Sequence, residues 1–445
     1  MPGPEPQGIK IGEEPSGMSV NLLSNTIYVA NMRSNSISVI NGTSNDMIKT
    51  FRAVEPTGVI VNPQTNVIYV ARGDPNAFSY NRSYISAIDG KTNKKIQDTP
   101  LNLTPVGLSV NSQTNMLYAI GYGYYPDFDS YFVSVIDGRT NKVVDDIPVD
   151  FETTGISVNP KTNMIYVTGG DTNSSLGYVA AIDGETNKVV NAIELDEYGN
   201  GISVNPQTDM IYSIGYDTVY TIAGNTKTYK HPTVGINGID VNEQIASTMK
   251  LNTTKGFLVT DTIPGGPASK AGIEGGDKLI DINGRTTKLF GDVIIKIDNQ
   301  SVSKIDDIRI YLDQQKKVGQ GVDLTVIRDG KLQTVKVVLE ERPMQMVNST
   351  ISDSQTKGIS VNPQTNMIYV LGQINTILEF TYPTVSVIDG ETNKEISDIQ
   401  LKQTLSSEFI DLNPETSMIY VLSFDSKTVS VLSHSKPESP LTLVR

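Results

Sequence analysis

The dodecamer GISVNPQTNMIY at Gly358–Tyr369 recurs along the chain, as GISVNPKTNMIY from Gly155 and GISVNPQTDMIY from Gly201. Weaker copies begin at Gly17 (GMSVNLLSNTIY), Gly58 (GVIVNPQTNVIY), Gly107 (GLSVNSQTNMLY) and Phe409 (FIDLNPETSMIY), seven in all. A second marker, close to SVIDGxTNK, follows from Ser38, Ser86, Ser134, Ala180 and Ser386, with degraded forms from Tyr220 and Ser430. One unit is about 45 residues, and self-similarity at such a period is the signature of a repeat architecture.

Local chemistry says what each unit contains. In the fourth, Ile156 and Val158 alternate with polar neighbours, Asn159–Asn163 (NPKTN) is turn chemistry, and MIYV from Met164 is a second strand. Pro cannot donate to a ladder and Asn tolerates left-handed backbone, so the pair of strands is a hairpin. A third strand ends at Ala181-Ile182, Asp183-Gly184 opens another tight turn, and Lys188-Val189-Val190 starts a fourth strand. The IYV run has no polar face and demands cover on both sides, which stacked four-stranded blades supply. Tyr28, Tyr69, Tyr118, Tyr166, Tyr212, Tyr369 and Tyr420 recur at one blade position and read as packing residues. The expected fold is mainly β, a seven-bladed β-propeller, with one interruption. At the C-terminus PLTLVR competes with GIKIGEEP from Gly8 for the edge of the last blade.

With SVNPxTNxIYV and VSVIDGxTNKV in view, the units resemble the YVTN-type propeller repeat, with IYVAN at Ile27–Asn31 and IYVTG at Ile165–Gly169 in the place of the family's name motif. The resemblance implies a fold and no shared active site. It also implies an extracytoplasmic setting, periplasm or cell surface. The N-terminal MPGPEPQGIKIGEEP is neither basic nor apolar enough to be a signal peptide, so the expectation is a removed leader, with a cytoplasmic protein as the alternative.

Successive units start 41 to 51 residues apart, except between Gly201 and Gly358. There the repeat stops and an α+β texture takes over. The expected division is propeller over residues 8–231, an inserted domain over 232–344, and propeller again over 345–445. MVNSTIS from Met346 reads as the fourth strand of the fifth blade, which favours an insert between that blade's third and fourth strands, with insertion between blades as the alternative. Within the insert, GGPASKAGIEGGD, GDVIIKIDNQSVSKIDDIRIYL and VIRDGKLQTVKVVLEERP resemble, in order, an HtrA-type PDZ domain. The resemblance implies that Thr233-Val234-Gly235-Ile236 stands where PDZ domains keep their carboxylate-binding loop. Consecutive N–H groups of Val234, Gly235 and Ile236 can converge on a carboxylate, Gly235 permitting close approach. The following strand, with Asn237 and Ile239, would pair with an extended peptide by β-addition. A helix from Ser303 to about Gln315 should form the far wall, with Ile305, Ile308 and Leu312 on one face; that spacing suits groove and core equally.

Composition narrows the remaining classes. A formal charge of −13 argues against a nucleic-acid partner, and no apolar stretch reaches the length of a membrane helix. With no Cys there is no disulfide, thiolate nucleophile or Cys-held metal. HtrA proteins join this PDZ type to a serine protease, but the two histidines, His231 and His434, fall at the domain junction and in the degraded last unit, and no GNSGG segment exists. Both histidines read as surface linker residues. The leading expectation is a non-enzymatic protein-interaction scaffold with no cofactor, catalytic residue or metal; the alternative is a hydrolase or lactonase-like enzyme with a metal in the propeller channel. The candidate second ligand surface is the long loop of the third blade, where Tyr122, Tyr124 and Tyr125 interleave with Asp127 and Asp129.

Overall fold

A computed structural model describes residues 8–73, 83–123, 130–171, 175–224, 232–262, 266–282, 285–341, 345–351, 355–375, 381–401, 407–434 and 441–444. The chain divides into two compact units, Met1–Gly224 with Met344–Arg445, and Asn225–Pro343.

In the first unit each repeat folds as its own antiparallel sheet. The fourth is Glu152–Asn159, Met164–Gly170, Gly177–Asp183 and Lys188–Leu195, hydrogen-bonded in that order. The fifth sheet takes its first three strands from Gly201–Ala223 and its fourth from Gln345–Ile351, which pairs with Thr218–Ala223. The second unit therefore leaves and re-enters the first within one turn. In the seventh sheet both chain ends share one edge. Ile9–Lys10 pairs with Val429 and Thr428, and Thr442–Leu443 pairs with Leu432 and Ser433. Each end is a two-residue strand, so the two divide an edge for which a single longer strand would have competed.

The core lies between sheets. Ile27, Val29, Tyr420, Val429 and Val431 form a buried cluster between the seventh sheet and the first, and Tyr118, Val133, Val158 and Ile165 form one between the third and the fourth. Comparable clusters fill the other junctions, so every sheet is covered on both faces, as the IYV runs require. The seven tyrosines of the repeat are all buried there. At the inner strands Gly17 and Gly58 approach so closely that a Cβ on Gly17 would lie 3.1 Å from the Gly58 Cα, and Gly155 meets Gly201 in the same way.

Polar side chains stitch the same junctions. The first Asn of each NPxTN turn accepts hydrogen bonds from backbone N–H groups of its own turn, Asn111 Oδ1 from Gln113 (3.0 Å) and Thr114 (3.2 Å). Its Nδ2 then donates to the second Asn of the next sheet's turn: Asn62 to Asn115 (2.7 Å), Asn111 to Asn163 (2.7 Å) and Asn205 to Asn366 (2.7 Å). Asn21 to Asn66 (3.0 Å), Asn159 to Asp209 (2.6 Å) and Asn413 to Asn25 (2.8 Å) repeat the pattern, the last joining the seventh sheet to the first. The accepting residue is left-handed throughout, with φ between 47° and 58° in Asn25, Asn66, Asn115, Asn163, Asp209 and Asn366. Asn and Asp tolerate that conformation and supply the Oδ1 acceptor.

The second marker locks onto the first. The Gly of IDG donates its N–H to the carbonyl of the left-handed Asn, Gly90 to Asn66 and Gly184 to Asn163, both at 2.9 Å. A Cβ on Gly90 would lie 2.5 Å from the Asn66 carbonyl oxygen, so only Gly fits. The seventh sheet breaks both rules at once. Ser417 replaces the Asn, and His434 replaces the Gly with its N–H 3.2 Å from the Ser417 carbonyl. Ser lacks the Oδ1 and Cγ that would crowd a Cβ on Gly90 at 2.7 and 2.9 Å, and the N–H to carbonyl distance widens from 2.9 to 3.2 Å. His434 is only 3% exposed and bonds through Nδ1 to the Tyr369 hydroxyl (2.8 Å), so the expectation of a surface linker residue is overturned.

The seventh repeat departs a third time at Asp411, where five others carry Ser. Ser19 Oγ accepts from Val61 N (3.2 Å) and Ser157 Oγ from Val204 N (3.2 Å); Asp411 Oδ2 accepts in the same way from Val20 N (2.9 Å). Burial pushes its carboxyl up to about 6, offset in part by hydrogen bonds from Leu412 N and Val20 N.

The second unit is a sheet ordered Ile236–Asp240, Phe257–Thr262, Val293–Ile297, Gly321–Arg328, Lys331–Val338, joined by helices α1 (Glu243–Met249), α2 (Pro267–Ala271) and α3 (Ile305–Gln315). Asn242 caps α1 through Ile245 N (3.0 Å), and left-handed Asp329 and Gly330 form the tight turn of the last hairpin. One sheet face packs on α2 and α3 around Val259, Ile294, Leu324 and Val326; the other packs on α1 around Leu258 and Val293. Arg328 holds the α2 segment with two bonds to the buried Asp292 (2.7 and 2.6 Å) and one to Gly272 O (2.7 Å).

Three outcomes follow. Asn111→Ala removes one hydrogen bond between sheets and two within the turn, and should cost about 2–3 kcal/mol in denaturant unfolding. Ser417→Asn should destabilise alone but not together with His434→Gly, with a coupling energy of about 1 kcal/mol or more in a double-mutant cycle. Asp411→Ser should stabilise at pH 7 by about 2 kcal/mol, because a carboxyl raised in the fold favours its neutral form; the gain should shrink as pH falls through 6 and vanish below about pH 4.

Candidate functional site

Gly235 is the pivot of the second unit. Its φ of 71° turns the chain from Pro232–Thr233, which pairs with Glu340–Glu341, into the edge strand Ile236–Asp240. The loop is fixed at the preceding residue, where Val234 is buried and its carbonyl accepts from Ala268 N (2.7 Å) at the start of α2. The Gly235 N–H donates to Thr233 Oγ1 (3.1 Å). A carboxylate taking all three expected N–H groups must therefore displace the Thr233 hydroxyl. Beside the loop Lys270 pairs with Glu340 at 2.5 Å, both largely exposed.

Among the described residues Ile236–Asp240 pairs on one side only, with Phe257–Thr262. Its other edge carries unpaired backbone groups, the template that β-addition uses. Asn237 is exposed, while Ile236 and Ile239 are half-buried against opposite faces of the sheet. Gly238 lies at a register shift, close against the Leu258 carbonyl, so no larger residue fits there.

Helix α3 is tied to this strand. Asp240 Oδ1 accepts from Ile305 N (2.9 Å), and Asp307 Oδ2 accepts from Ser303 N (2.7 Å) and Lys304 N (3.1 Å). Farther along, Tyr311 donates to Asp298 Oδ2 (2.7 Å), which also holds Lys316 (2.7 Å). The hydrogen bond to Asp298, with burial, pushes the Tyr311 phenol up to about 12. Of the three apolar helix residues expected at the groove, Ile308 and Leu312 are 1% and 2% exposed and belong to the core; Ile305 is half-buried and lies nearest the edge strand's Asp240. Helical spacing alone could not separate these roles. Asp240 and the Lys270–Glu340 pair carry no sequence signal because each acts through a partner 65 or 70 residues away; the Thr233 hydroxyl bonds within its own loop, and only the geometry shows it holding the Gly235 N–H.

Two cavities lie elsewhere. One of about 530 Å³ sits in the second unit between Lys250, Leu251, Lys255, Ile295, Ile327 and Leu332, meeting the edge-strand site at Ser303. The other, about 240 Å³, lies among the inner strands of the first unit. Of the aromatic loop expected as a second ligand surface, Tyr122 is half-buried in the third sheet, opposite Thr104 and Tyr131; Tyr124, Tyr125, Asp127 and Asp129 lie outside the described residues, as does His231. Among the described residues no three His, Asp or Glu side chains cluster as a metal site.

Comparison with known proteins agrees with the division into two units. Residues 232–339 match the PDZ domain family. Over 104 residues the chain is 34% identical to a probable periplasmic serine endoprotease DegP-like of Marinomonas sp. (strain MWYL1), covering 23% of this chain and 19% of the relative. Over 121 residues it is 26% identical to the periplasmic serine endoprotease DegP of Escherichia coli (strain K12), covering 27% and 22%. The chain thus spans about a fifth of the length of these relatives. Among solved structures it is similar to a chain of Kuenenia stuttgartiensis hydrazine synthase (TM-score 0.53, 11% identity, 98% and 99% covered) and to the Cps50 (Swd1) β-propeller domain of Myceliophteria thermophila (TM-score 0.55, 7% identity, 97% and 99% covered). At these identities the likeness is one of fold. Residues 232–339 are a PDZ domain, carried by a mostly β chain with β-propeller structural neighbours.

Proposed function

We propose that this chain is a non-enzymatic protein-interaction scaffold: the PDZ domain binds a peptide C-terminus or β-strand, and a seven-bladed propeller of YVTN-type repeats serves as its rigid platform. The observation that carries this is the unpaired edge of Ile236–Asp240, ending at the Gly235 turn and flanked by α3. An added strand would gain backbone hydrogen bonds along the edge, and the Val234, Gly235 and Ile236 N–H groups would receive its carboxylate. Thr233 Oγ1 occupies the Gly235 N–H until then, which favours ligands that bring a full negative charge. The matched relatives are named as periplasmic proteases, yet the similarity is confined to the PDZ region. On this reading the recognition module is shared and the catalytic one is not, and the setting is extracytoplasmic.

Peptides selected on the full chain from a C-terminally displayed library provide the test. Gly235→Asp should weaken them at least tenfold, about 1.4 kcal/mol, by placing a like charge at the carboxylate. Gly235→Asn, similar in shape and tolerant of the same φ, should weaken them less. Amidating the peptide C-terminus should remove most of the difference between the two variants. Equal affinity for wild type and Gly235→Asp would reject the assigned groove.

A further inference from the structure

The 240 Å³ cavity of the first unit is lined by inner strands of five sheets, and its walls are unlike those of a plain structural channel. Gly17, Gly58, Gly107 and Ile156 line it together with Phe409 and Asp411. Phe409 and Asp411 are two of the positions at which the seventh repeat departs from the others, Phe standing for the Gly of all six and Asp for the Ser of five. The repeat supplies its own control. Both departures face one cavity, and neither serves stability: Phe409 leaves 37% of its surface exposed, and Asp411 carries a carboxyl that burial penalises.

Asp411 is the single charged residue of the cavity lining. Its oxygens accept from Leu412 N and Val20 N, both at 2.9 Å, and among the described residues no Lys, Arg or His is paired with it. Its side chain is half-buried at the cavity wall, beside the exposed Phe409 and Val106. One carboxylate does not hold a divalent cation, which demands several oxygen ligands. A solvent-open pocket with Phe409, Ile156 and the glycines on its walls and one carboxylate instead matches a monovalent organic cation, held by charge at one end and by apolar contact at the other.

We infer that the cavity is a binding site for a small alkylammonium ion, its nitrogen on the Asp411 carboxylate and its apolar chain against Phe409 and the glycine-lined inner strands. The site is independent of the PDZ groove and stands whether or not that groove binds peptide.

Calorimetric titration of the full chain with n-butylammonium chloride tests it, with n-butanol as the uncharged counterpart. Saturable millimolar binding is expected for butylammonium and not for butanol. Asp411→Ser restores the residue that five other repeats carry, so it should fold, and it should lower affinity at least tenfold. Phe409→Gly, likewise the residue of the other six repeats, should lower affinity severalfold. Unchanged butylammonium affinity in Asp411→Ser, equal binding of butanol, or no saturable binding to the wild type would each overturn the assignment.

Discussion

The first unit depends on one side chain used twice. The leading Asn of the repeated turn orders its own hairpin through Oδ1, and at Asn21, Asn62, Asn111, Asn159, Asn205 and Asn413 it also reaches the next sheet through Nδ2, so the turn that ends one hairpin positions the neighbouring one. A hydrophobic junction is permissive about register, because apolar contacts carry little direction. The Asn bond is directional, and it recurs at the joint between the seventh sheet and the first. It also explains why the second Asn tolerates only Asp among the good hairpin copies, since Asp209 keeps the accepting oxygen and the left-handed backbone.

Such a framework frees parts of the chain from structural duty. The fifth sheet accepts a whole domain inside one turn because its fourth strand returns to register against Thr218–Ala223. The seventh sheet accepts departures at Phe409, Asp411, Ser417 and His434, the last two bonded to each other across one turn. The change at Asp411 preserves the hydrogen bond to Val20 while placing a carboxyl where burial disfavours its charge. The PDZ domain is organised differently. There a glycine with positive φ, a helix tied to the edge strand by Asp240, and a bidentate Arg328–Asp292 pair hold an open strand edge in place.

Much of this was legible in the sequence because the chain repeats itself: periodic hydrophobic runs, turn residues and the one long gap specify the strands and the insert. The Asn bonds were not, since donor and acceptor lie 45 to 53 residues apart at most junctions, one repeat period, and each looks like ordinary turn chemistry within its own copy. His434 was misread for a related reason. A degraded marker suggests a loosened surface, whereas here the loss of Gly is matched by the loss of Asn across the turn. In the PDZ domain, Ile305, Ile308 and Leu312 share one helical face, and only packing shows that two of them are core.

On the proposed reading a peptide ligand is recognised along the unpaired edge of Ile236–Asp240. Amide hydrogen exchange on the full chain, with and without a saturating selected peptide, measures this at the backbone groups concerned. Added protection is expected in Ile236–Asp240 and at Val234 and Gly235, with the NPxTN turns of the first unit unchanged. Protection confined to the Lys250–Leu332 cavity or to the propeller sheets, with the 236–240 amides unaffected, would contradict it.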